Sequence, residues 1–201
     1  MRENIQSFRS YNQYRKATLK LDEPTLTQSK MRMEPEDGSE QNQLRYELYK
    51  AAFDRIKEGM NTANYYEVIC LSDSLMSDRL GKLLQVVRRY DEEEYVTGSL
   101  GQTVHKLKRE KEDRGLDFGE DFDRLLDAVS GCEDSFDNKR NTSVHEFCVV
   151  TEDNLKYRVN NRDNFNKATA QLGATLAKCI VRNVDQILTK IYNDEFYGEE
   201  Y

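Results

Sequence analysis

Along the chain, apolar positions recur at steps of three, four and seven in blocks separated by polar breaks, the signature of amphipathic helices. From about 41 to 58, Leu44, Leu48, Ala52 and Ile56 fall on one stripe, with Tyr49 and Phe53 beside it and Gly59 closing the run. The next block, roughly 62 to 89, repeats Ile69, Met76, Leu80, Leu83 and Val87 over a face wide enough for burial on two sides. A weaker pattern covers 99 to 114 and carries His105 in the basic run HKLKREK. A fourth, about 119 to 136, shows Phe122, Leu125, Leu126, Val129 and Cys132. The last runs from about 162 to 193 through Phe165, Leu172, Leu176, Cys179, Ile180, Val184, Ile187, Leu188 and Ile191. Ahead of all of them, residues 3 to 20 hold only a thin pattern of Ile5, Phe8 and Leu19, and both prolines, Pro24 and Pro35, mark the polar stretch that follows. The pattern predicts an N-terminal arm and linker over 1–40. It predicts a helical domain over 41–201, an all-α up-and-down bundle of four to five main helices.

Composition agrees with that class. Two prolines and ten glycines among 201 residues are few for a turn-rich β protein. Charge narrows the partners: a net charge of −7 argues against a protein that coats nucleic acid non-specifically, since such binding comes mainly from phosphate neutralisation. A small basic cleft on an acidic body is still compatible with it. Of the four cysteines, Cys70, Cys132, Cys148 and Cys179, none forms a C-x-x-C pair and three sit in apolar helical patterns, so buried reduced thiols are expected. No run of 18 apolar residues predicts a membrane span, and the first residues lack the apolar core of a signal peptide. A cytoplasmic protein that does not enter membranes is the expectation.

The chemistry concentrates in residues 139 to 147, KRNTSVHEF, which hold one of only two histidines. Position 149 is Val, so His145-Glu146 does not open a zincin helix. Two distant histidines without paired cysteines make a poor zinc set. No Gly-rich phosphate loop is present, and no cofactor or metal is expected. What remains is Arg140, Asn141 and His145. On an ideal helix Arg140 and His145 stand about 140° apart, so convergence calls for a bend or a helix start between them. Asn138 and Asn141 are candidate caps, and Ser143 to Glu146 reads as a capping box. The residue types suit cleavage of RNA by its own 2′-hydroxyl. An imidazole takes or returns a proton near neutral pH. A guanidinium grips phosphate oxygens in a fixed fork and keeps its charge. Asn141 would orient the imidazole or contact a phosphate.

RNTSVH resembles the R-N-x-x-x-H motif of the HEPN superfamily, small all-α domains found in prokaryotic toxins and defence nucleases. The order of long helices before the motif and a long apolar helix after it is similar over roughly residues 41 to 195. LSDSLMSDRLGKLL is similar to the acidic stretch on an early helix of some members. The resemblance implies a metal-independent endoribonuclease that leaves a 2′,3′-cyclic phosphate. It also implies a homodimer whose composite active site joins Arg140 and His145 of two protomers, and an antitoxin or defence-complex partner. Val144 stands where members modified by a nucleotidyltransferase antitoxin carry Tyr, so the resemblance does not extend to that mode of control.

Bland readings stand beside each of these. The motif is read also as a helix cap, Arg140 as an ion-pair partner of Asp137 or Glu146, and Asp73 and Asp78, candidates to face the site, as solvated or paired with Arg79. His105 reads as an exposed residue, and DEEE at 91–94 and NDEFYGEEY at the end as solvated acid. The rivals to a nuclease are a non-catalytic module binding nucleotide or RNA and a purely structural helical partner. The long apolar faces over 62–89 and 162–193 exceed what one small bundle buries, which predicts an interface.

Overall fold

The computed structural model describes residues 40–88, 98–145 and 159–197. The chain there is all-α: α1 (Glu40–Asn61), α2 (Tyr65–Arg88), α3 (Leu100–Arg114), α4 (Glu120–Ser130), α5 (Phe136–His145) and α6 (Val159–Tyr197). The arm predicted over 1–40 lies outside the described residues except for its last position. Six helices lie among the described residues, and KRNTSVHEF does not extend the helix before it. The chain turns through Gly131–Ser135, with Ser135 N–H donating to the Cys132 carbonyl at 3.0 Å, and a separate helix starts at Phe136.

The core is built chiefly between α2 and α6, whose pairing is the most extensive in the fold. Ile69, Met76, Leu80, Leu83 and Leu84 from α2 are fully buried, and so are Leu176, Ile180, Val181 and Val184 from α6. Each such side chain contributes about 1.5–3 kcal/mol of transfer free energy. These faces pack on each other and on the helices that cover them. On α1 the inward stripe is Tyr49 and Ile56, whereas Leu44 and Leu48 are 56% and 61% exposed, so the sequence stripe pointed partly outward.

α3 and α4 lean on α2 and α6 through Leu100, Val104, Leu107, Phe122, Leu125 and Leu126. A capping box fixes the start of α3: Ser99 Oγ accepts from the Gln102 N–H and Gln102 Oε1 from the Ser99 N–H. Lys108 and Lys111 on α3 pair with Asp127 and Asp123 on α4, so part of the basic run is neutralised within the fold. His105 is exposed, as expected. The cysteines depart from expectation. Cys179 is buried, but Cys70 and Cys132 are exposed, the first on the outer side of α2 and the second in the turn before α5. Cys148 and residues 91–94 are outside the described residues. No helix among the described residues is long and apolar enough to cross a membrane.

Candidate active site

α5 is ten residues long, and one face of it turns inward at the helical spacing i, i+4, i+7: Phe136 and Ser143 are buried and Arg140 half-buried. Phe136 is fully buried and anchors the first turn. Its ring seats against Gly173 of α6, where an added Cβ would lie 2.5 Å from Phe136 Cε2 and 3.1 Å from Ser72 Cβ of α2. That close approach between a ring and a helix backbone requires the missing side chain. One turn later the same face points at α2, beside Ser72, and the residue there is Asp73.

Arg140 fills this position with its side chain 13% exposed. Its Nε lies 3.3 Å from Asp73 Oδ1, its Nη2 donates to Asp137 Oδ1 at 2.8 Å, and its Nη1 donates to Asn141 Oδ1 at 2.7 Å. The hydroxyls of Ser72 and Ser143 are buried nearby on the same two helices, with no hydrogen-bond partner among the described residues. A guanidinium so enclosed keeps its plane, since it donates to Asp137 and Asn141 of α5 and is ion-paired with Asp73 of α2.

Several expectations change here. No bend separates positions 140 and 145: α5 is continuous through both, with buried Phe136 starting the helix earlier than the capping signals indicated. Asn141 and Ser143 are therefore interior helical residues, not caps. Asn138 does not cap α5 either; its Nδ2 donates to the Cys132 carbonyl at 2.9 Å, tying the helix to the turn before it. Arg140 pairs with Asp137, as one bland reading had it. It also pairs with Asp73, which fits the less favoured reading of that residue, facing the site, over solvation or pairing with Arg79. Arg79 instead pairs with Asp185 of α6. Asp78 accepts from the Tyr49 hydroxyl and lies 3.5 Å from Arg45 Nε, away from Arg140.

Position 145 is the last of α5 and follows Asn141 by one helical step of four, so the two positions stack on one side of the helix. The His145 side chain and Glu146 lie outside what the structure describes. Arg140 and Asn141 are in contact, and of the two α2 carboxylates that are candidates to face the site it is Asp73 that reaches Arg140; no local periodicity links positions so far apart along the chain. No family model, curated protein or solved structure matches this chain.

Proposed function

We propose that this chain is a metal-independent endoribonuclease of the HEPN kind implied by RNTSVH. His145 serves as general base and then acid, Arg140 as the stabiliser of charge on the phosphorane, and Asn141 as the link between them. The RNA 2′-hydroxyl loses its proton to the imidazole and attacks the adjacent phosphorus. The 5′-oxygen leaves with a proton, and a 2′,3′-cyclic phosphate remains. The active unit in this reading is a homodimer with Arg140 and His145 of both protomers lining one groove, working in a cytoplasmic toxin–antitoxin or phage-defence setting with an antitoxin or defence-complex partner. The toxin setting is carried by the resemblance alone.

The observation that carries the reading is the 2.7 Å hydrogen bond from Arg140 to Asn141, on a helix whose position 145 stands on the Asn141 side. The same geometry has a rival. An arginine paired with two carboxylates also suits a helix anchor in a non-catalytic RNA-binding module or structural partner protein.

Incubating the purified protein with total RNA in EDTA, beside His145→Ala, separates the readings. Cleavage with cyclic-phosphate ends, lost in the variant while its melting temperature holds, is the expected result. Intact RNA at high concentration of folded wild-type protein overturns the nuclease reading. Retention of that RNA in a gel shift then points to a binding module.

A further inference from the structure

We propose that Asp73 and Gly101 are positioning residues for Arg140, acting from two helices that carry none of the motif; this rests on the nuclease reading above. Asp73 acts directly, with its Oδ1 3.3 Å from the guanidinium Nε. Gly101 acts through Asp137. The Asp137 carboxylate reaches Arg140 with one oxygen, Oδ1. Its other oxygen lies against the backbone of Gly101, where a Cβ would sit 2.5 Å from Oδ2 and 3.3 Å from Cγ.

Three consequences follow from this arrangement. Asp137 is bounded on one side by the helix backbone at Gly101 and on the other by the guanidinium. Gly101 lies in the first turn of α3, and the partial positive charge of a helix start favours a carboxylate held there. Finally, Asp73 and Asp137 approach Arg140 from α2 and α5, so the guanidinium plane is referenced to two elements rather than to its own flexible stem. A phosphorane-stabilising cation works through placement. Displacement of a catalytic group by about 1 Å can lower turnover by about 100-fold.

Gly101→Ala is an informative variant because of what it would move. Alanine is better than glycine inside a helix by about 1 kcal/mol, and the atoms it meets, Asp137 Oδ2 at 2.5 Å and Ser130 Oγ at 3.1 Å, are the ends of short side chains that can swing aside. The fold is expected to survive while the Asp137 carboxylate is displaced. The companion variant Asp73→Asn keeps the side-chain volume and removes the charge.

Both are assayed as purified full-length protein on a fluorophore–quencher RNA oligonucleotide in EDTA, with circular-dichroism melts alongside. The expected result is a kcat about 10- to 100-fold below wild type for each, a KM within about two-fold, and a wild-type melt for Gly101→Ala. A helix that had merely loosened would lower the melting temperature without this split between kcat and KM. Wild-type kcat in both variants, with cleavage abolished by Arg140→Gln, overturns the positioning role and leaves the nuclease reading standing. Absence of cleavage by wild-type protein removes both. If Gly101→Ala melts early, Asp73→Asn decides in the same assay.

Discussion

Tyr49 illustrates how a residue that periodicity marks only as apolar acquires a chemical role from its surroundings. Its ring is 5% exposed, its hydroxyl donates to Asp78, and the Arg79 guanidinium lies 5.8 Å from the ring centroid. Burial raises the phenol well above its ordinary value of 10.0, outweighing the lowering by Arg79. The folded state thus favours the protonated phenol. Stability from this group is fully present below the unfolded pKa and is lost as pH rises through the folded one. Tyr49→Phe should therefore weaken the alkaline fall in stability relative to wild type, and at neutral pH lose about 1 kcal/mol with its hydrogen bond. Urea titrations of both proteins between neutral and strongly alkaline pH read the difference; parallel curves would refute it. Cys179, pushed up to about 11 chiefly by burial, belongs to the same class of residue, an inert thiol inside α6.

At the scale of elements, α5 is the instructive case. Its sequence, FDNKRNTSVH, has a single large apolar residue, and such a short polar helix has little intrinsic stability. It is held by docking: Phe136 into Gly173, Arg140 onto Asp73, and Asp137 against Gly101. Gly173→Ala is expected to destabilise the protein by about 1–3 kcal/mol, because overpacking against the Phe136 ring outweighs the helix preference of alanine. Because α5 carries the candidate site, RNA cleavage should fall as well. A chemical-denaturation midpoint equal to or above wild type would show that the ring has room to yield. The legible part of this element was its motif. Its start was missed because capping chemistry at Asn138 and Asn141 looked stronger than a lone buried phenylalanine.

The whole molecule is tied together by a buried ionic group that joins three helices. Arg79 of α2 and Asp185 of α6 pair with side chains 7% and 2% exposed, and Tyr49 of α1 covers the guanidinium. Removing one partner leaves an uncompensated charge in the core, so Asp185→Ala should cost about 3–5 kcal/mol, read as a lowered urea midpoint at unchanged slope. Replacing the pair together by Arg79→Met and Asp185→Leu is expected to recover much of that loss. A single variant as stable as wild type would mean the charge finds water or another partner.

Hydrophobic spacing determined the all-α class, the core helices and most of their burial, since helical period and side-chain transfer free energy act locally and leave a mark on every turn. The motif RNTSVH, not the spacing, singled out Arg140 and Asn141, whose contact spans adjacent positions. Tertiary structure alone decided that Asp73 pairs with Arg140, that Arg79 turns to Asp185, and that Leu44 and Leu48 face outward while Tyr49 faces in. Those outcomes depend on which helix stands beside which and at what rotation. Charge pairing between helices has no period along the chain, so no stretch of sequence records it before the core has assembled.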